Sequence, residues 1–229
     1  MAVHHESYPL IVTATQPETP GYRSVFFGRP RGFSFMAGDW MDVTMPADQP
    51  AGGTTYSFAS SPDEPDLRIT FRDGRSPFKL VLQSVQAGDR FLITEYGNDY
   101  GFQLNEHRPS TLIAGGVGVT PFRSMLSQMV AERSRNSVQL IYLNTSADFL
   151  YRAELDAWEQ ELPGLTVRYV PTRDLKRKGR ERRLRELIAD PQQQFYVSGP
   201  SGMVESTRQA LAAFGVADRD IKVDDFGFQ

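Results

Sequence analysis

Apolar positions along this chain follow two rhythms, and the change falls near Arg108. Before it, short runs rich in β-branched and aromatic residues are separated by Gly, Pro and Asp: Leu10–Thr15, Tyr22–Phe27, Trp40–Met45, Thr55–Ala59, Leu67–Phe71 and Arg90–Thr94. Runs so closely spaced predict an antiparallel barrel or sandwich. One helix interrupts them, with Ser76 as cap, Pro77 in the first turn, and Phe78, Val81, Leu82 and Val85 on one face. Ala87, Gly88 and Asp89 end it. After Arg108 the strands are continuous apolar runs that alternate with helical patterns: Thr111–Ala114 then helix 120–132, and Val138–Leu143 then helix 152–161. Leu165–Val170 leads to helix 182–189, Phe195–Ser198 to helix 201–214, and Ile221–Phe226 closes the chain. Strands that alternate with helices and are apolar on both faces predict a doubly wound parallel sheet. The chain therefore reads as two domains, residues 1–106 and 107–229, joined between Gly101 and Pro109.

Ligands of a doubly wound sheet bind beyond the carboxyl ends of its strands. Three stretches are expected there: Gly115–Thr120, Asn144–Asp148 and Gly199–Met203. The first is the most informative. Gly115, Gly116 and Gly118 follow a buried strand, and Thr120 and Pro121 suit the start of a helix. Such a turn lets backbone N–H groups approach an anion, so a phosphate or pyrophosphate is the natural guest. It is neither a G-x-G-x-x-G fingerprint nor a P-loop, because no G-K-[ST] closes it. A tight structural turn accounts for it equally well.

Composition narrows the chemistry. The chain has 229 residues, 40% of them hydrophobic, and a net charge of −3, which gives no reason to expect nucleic acid. No apolar run is long enough for a membrane span, and the expectation is a cytoplasmic protein. Cysteine is absent, which removes thiolate nucleophiles and any cysteine-held cluster or zinc. The three histidines, His4, His5 and His107, make no metal-ligand pattern, and no metal is expected. A Ser-His-Asp hydrolase would have only His107 as its base, with no G-x-S-x-G elbow.

Three segments then occur in order: TYSFASS at Thr55–Ser61, GGVGVTPFRSM at Gly115–Met125 and YVSGPSGM at Tyr196–Met203. Together they resemble the ferredoxin–NADP reductase family over nearly the whole chain. The resemblance implies an antiparallel β-barrel that holds a flavin, followed by an α/β domain that binds a nicotinamide nucleotide. In that family Tyr56 matches the aromatic that stacks on the isoalloxazine ring. Ser57 matches the hydroxyl near its reactive nitrogen, and Phe58 and Ala59 continue the stretch. Gly74, Arg75 and Ser76 resemble the second flavin segment, where a helix start faces the flavin phosphate. Gly116, Gly118, Thr120 and Pro121 would hold the nucleotide pyrophosphate, and Gly199, Pro200 and Met203 would lie by nicotinamide and ribose.

The chain departs from the family at three places. The motif Arg-x-Tyr-Ser has Thr54 where its phosphate-binding arginine should stand, with Arg72 and Arg75 as nearby replacements. Losing such a contact weakens binding by roughly 1.5–3 kcal/mol. Ser198 stands where cysteine is common, close to the hydride-transfer centre. The closing aromatic that covers the flavin could be Phe226 or Phe228, with spacing one residue short. A basic run from Arg173 to Arg185 reads as a solvated face, as a 2′-phosphate site through Thr172 and Arg173, or as a surface that steers an acidic partner.

The expected function is a flavin-dependent oxidoreductase that takes hydride from NADPH or NADH onto FAD, or onto FMN. Electrons then pass to a separate acceptor, a ferredoxin-like protein or an oxygenase component. Two alternatives stand beside it: a flavin reductase that releases reduced flavin, and a non-catalytic module that binds flavin or nucleotide and regulates a partner.

Overall fold

A computed structural model describes residues 3–46, 52–98 and 100–226. The first domain carries β1 (Val3–His4), β2 (Tyr8–Pro17), β3 (Tyr22–Gly28), β4 (Trp40–Thr44), β5 (Gly53–Ser57), β6 (Asp66–Arg72) and β7 (Arg90–Gly97). The pairing is antiparallel in the order β5-β4-β7-β2-β3-β6, with β1 on β7. Alternation sends Leu10, Val25, Phe27, Met41, Val43, Leu67, Ile69, Phe91 and Ile93 into one core. The helix α1 (Pro77–Ser84) presses Phe78 and Leu82 onto it. Full burial of such side chains stabilises the fold by roughly 1.5–3 kcal/mol each. The two edge strands, β5 and β6, close on each other without a hydrogen-bonded ladder.

The second domain runs β8 (Ser110–Gly115), α2 (Thr120–Ala131), β9 (Val138–Asn144), α3 (Arg152–Glu161), β10 (Leu165–Pro171), α4 (Arg177–Leu187), β11 (Gln194–Gly199), α5 (Ser201–Ala213) and β12 (Ile221–Asp225). Its five strands are parallel, in the order β10-β9-β8-β11-β12. One face packs Leu112, Leu140 and Tyr142 against Phe122 of α2 and Leu155 of α3. The other packs Ile113, Ile141 and Val197 against Leu184 of α4 and Val204 of α5. Helices on both faces explain why these strands are apolar throughout. The order reverses between β8 and β11, so the crevice opens at Gly115–Thr120 and Gly199–Met203.

Three local expectations are corrected. β1 was not expected, because two residues carry no periodic signal. α4 begins at Arg177 rather than residue 182, since its charged first turns hide the helical period. Residues Gly116–Val119 form a 3₁₀ turn that runs straight into α2, so Thr120 lies inside the helix and does not cap it. Its hydroxyl donates back to the Val117 carbonyl at 2.6 Å.

The domains meet along an alternating ladder of charges. Arg123 of α2, 5% exposed, donates to the Glu64 carboxylate at 3.0 and 3.1 Å, to Glu154 at 2.7 Å and to the Ala59 carbonyl at 2.6 Å. Arg68 of β6, 4% exposed, donates to Glu154 at 3.3 Å, to Glu18 at 2.5 Å and to the Ser24 hydroxyl at 3.0 Å. The Tyr151 ring lies against both guanidinium groups, and its hydroxyl donates to Thr70. Ser124 adds a bond to the Ser60 carbonyl at 2.7 Å. Burial pushes the Glu64 carboxyl up, but Arg123 and the Ser61 N–H outweigh it and hold it below the usual carboxylate range. Removing one member of a buried pair costs about 3–5 kcal/mol, so this ladder resists changes in the angle between domains.

Candidate functional site

Two cavities meet at the sheet's crevice and share Arg72, Val117 and Pro200. The first, about 160 Å³, lies over the barrel seam. Tyr56, Ser57 and Thr55 of β5 line it from one edge strand, and Thr70, Phe71 and Arg72 of β6 from the other. Lys79 of α1 joins them, while Val117, Thr120, Pro200 and Phe226 come from the second domain. The second cavity, about 220 Å³, sits on the sheet's carboxyl edge, lined by Gly115, Gly116, Thr145, Thr172, Arg180 and Met203, with Tyr22 from the barrel.

Strand alternation explains the first cavity's wall. Tyr56 follows Thr54 by two residues, so both belong to one face of β5, and Tyr56 is 7% exposed. Its hydroxyl is buried with no hydrogen-bond partner, and burial pushes its pKa well above that of free tyrosine. A buried hydroxyl without a partner costs about 1–3 kcal/mol. Neither cavity has a carboxylate in its lining.

Just behind the first cavity, three side chains converge from both domains. Ser57 donates to the Asp224 carboxylate at 3.2 Å and Ser198 donates to the same oxygen at 3.4 Å. Register explains it: β11 and β12 pair in parallel with Ser198 opposite Asp224. Burial pushes the Asp224 carboxyl up to about 6, while the two serine hydroxyls pull it down and Asp225 pushes it further up.

The glycine turn holds its place by close approach. A side chain at Gly118 would lie 2.2 Å from the Ser198 carbonyl oxygen, so only glycine lets the turn rest on β11. Gly116 adopts φ +55°, and its carbonyl accepts a bond from the Tyr142 hydroxyl at 2.9 Å.

Tyr56, Ser57, Arg72, Thr120, Pro200 and Phe226 thus share one cavity, and Gly116, Thr172, Pro200 and Met203 the other. Ser198 and Gly199 end β11 beside them; the Gly199 carbonyl accepts from the Phe226 N–H at 3.2 Å. Several expected residues lie elsewhere. Phe58 stacks on Phe35 in the barrel core, and the Ala59 carbonyl serves Arg123. Gly118 and Pro121 are buried in the turn and in α2. Gly74, Arg75 and Ser76 are not in the lining, nor is Arg173, which is exposed while Arg180 reaches the cavity. Phe228 lies outside the described residues. Sequence reasoning missed Asp224, Lys79, Arg180 and Tyr22. Asp224 had one signal, its place two residues before Phe226 on an expected last strand.

With this geometry in hand, likeness to known proteins becomes specific. Residues 112–209 match the oxidoreductase NAD-binding domain. A flavohemoprotein of Halalkalibacterium halodurans is 28% identical over 207 residues, which cover 81% of this chain and 50% of that protein. The chain shares the fold of the ferredoxin–NADP reductases, and its second domain carries the matched NAD-binding region. The chain spans about half the length of the flavohemoproteins it matches. Among solved structures, an Amycolatopsis cytochrome P450 reductase superposes with a TM-score of 0.79 at 20% identity, over 98% of this chain and 72% of the other. A Neisseria gonorrhoeae ferredoxin–NADP⁺ reductase with bound FAD and NADP gives 0.75 at 20% identity, over 96% and 98%. The antiparallel barrel and the parallel sheet of this chain are that shared fold. Among the described residues, no helix is long and apolar enough to cross a membrane.

Proposed function

We propose that this chain is the reductase part of a flavin enzyme: hydride comes from NADPH or NADH, and electrons leave singly to a separate acceptor. The supporting observation is the double cavity, in which Tyr56 and Ser57 of the barrel face Thr120, Pro200 and Phe226 of the sheet across one cleft. FAD is the favoured flavin, with FMN the alternative. When bound, the flavin supplies the change from two-electron to one-electron transfer. The chain's own residues do the rest. Tyr56 offers a flat ring and an unpaired hydroxyl, and Phe226 closes the far wall. Ser57 and Ser198 share the Asp224 carboxylate, which holds a proton below about pH 6 and releases it above.

The second cavity suits a nicotinamide nucleotide, with Gly116 and Met203 at the sheet edge. Arg180 lines it with Thr172 and no carboxylate, which supports a 2′-phosphate and hence NADPH. In this reading Arg180 takes the role the sequence suggested for Arg173. The exposed cations of α4 and the turn before it, among them Lys176 and Lys178, support an acidic protein as acceptor, a ferredoxin-like protein or an oxygenase component.

The test is direct. Flavin-loaded protein kept free of oxygen should bleach on addition of NADPH, and more slowly with NADH; bleaching by neither overturns the proposal. A second reading, a reductase that releases reduced flavin, is favoured by Thr54 at the arginine position. Flavin that leaves the protein at each turnover would select it.

A further inference from the structure

Thr54 removes the arginine that should meet a flavin phosphate, and it is not in the lining of the first cavity. Two other cations are. Arg72 ends β6 and Lys79 lies in the first turns of α1, so strand and helix bring both to the cavity wall. Among the described residues no carboxylate pairs with either. Burial, and after it the charge of Arg72, hold the Lys79 ammonium below the usual lysine range. Like charges at a half-buried site repel, yet the cavity lining that holds both has no carboxylate, and the adjacent Asp73 pairs with Arg23. Gly74 makes the room: a side chain there would lie 2.8 Å from Lys79 Cδ.

We infer that Lys79, with Arg72 beside it, is the phosphate seat for the flavin, and that a helix lysine replaces the strand arginine lost at Thr54. This rests on the flavin reading above and deepens it. The ligand chemistry is a phosphate monoester or diester next to an isoalloxazine, so FMN and FAD are taken and riboflavin is disfavoured. A lysine meets phosphate as a point charge without the two-pronged geometry of arginine. Binding should therefore depend strongly on ionic strength.

The test is a fluorescence-quenching titration of the purified chain with riboflavin, FMN and FAD. Lys79→Gln should weaken FMN and FAD by roughly 10-fold or more, the usual worth of one charge-assisted contact. Riboflavin affinity should stay unchanged, and so should the unfolding midpoint without flavin. Lys79→Arg should keep most of the FMN affinity. Thr54→Arg in the Lys79→Gln background should recover part of it. Lys79→Gln that binds FMN as wild type does, or that loses riboflavin and FMN equally, overturns the inference and leaves the flavin reading intact. Wild-type chain that binds none of the three flavins removes both.

Discussion

Arg68 and Arg72 lie on the same strand, four residues apart, yet they meet charge in opposite ways. Arg68 is nearly inaccessible and saturated: Glu18, Glu154 and Ser24 take its donors, and Tyr151 covers its face. Arg72 is exposed at the end of the strand, beside Lys79, and looks into a cleft without acids. The first arrangement closes the accounts of every buried charge and fixes two domains against each other. The second leaves donors unspent, which is the state of a site that waits for an anion. A fold can thus use one residue type for architecture and for recognition, and the partner inventory separates the two uses.

The sharpest way to break the comparison is at the ladder. Arg123→Ala leaves half-buried Glu64 without its cation and Glu154 with Arg68 alone, and should destabilise the chain by about 1.5–3 kcal/mol in urea unfolding. The matching change in the cleft, Arg72→Ala, should cost under about 0.5 kcal/mol, as surface positions do. Equal losses would erase the distinction. Next in size is the glycine turn. Gly118→Ala drives a methyl group into the Ser198 carbonyl and should cost about 1–3 kcal/mol, with Ser198 and Asp224 displaced from their contact.

Arg180→Ala should lower the preference for NADPH over NADH by about 10-fold, read as the ratio of kcat/KM, with stability unchanged. A ratio that stays the same removes Arg180 from the 2′-phosphate role.

The response to pH has opposite signs in the two regions. Glu64 has a lowered pKa, so its contribution is present above the ordinary 4.5 and fades as pH falls through the lower folded value. Asp224 is raised from 3.8 to about 6, so the folded chain binds its proton more tightly and stability declines as pH rises across that window. Asp224→Asn should abolish the decline between about pH 4 and 6, seen by comparing unfolding midpoints. A variant with the wild-type profile would show that the carboxyl is not held as described.

How much of this was legible in the residues alone can be argued from particular elements. The parallel strands announced themselves because burial on both faces demands uninterrupted apolar runs such as Thr111–Ala114 and Val138–Leu143. The helix at Arg152–Glu161 was bounded correctly, because its apolar positions keep helical spacing. α4 was misplaced because a surface helix of arginines has little apolar period to read. Tyr56 and Ser57 could be singled out from the motif, but Lys79 could not, since nothing in SPFKL marks a lysine as aimed inward.

By itself, then, the order of residues determined two domains, the rhythm of each, the glycine turn at the crevice and the absence of cysteine chemistry. Those features are local, written in spacing and composition that neighbours along the chain enforce. Only the tertiary structure decided that β5 and β6 leave a seam, that Asp224 stands between Ser57 and Ser198, and that Lys79 and Arg180 join Arg72 in the clefts. These are matters of register and of which side chains lack a partner. Both depend on residues far apart in sequence, and charge compensation has no period to betray it.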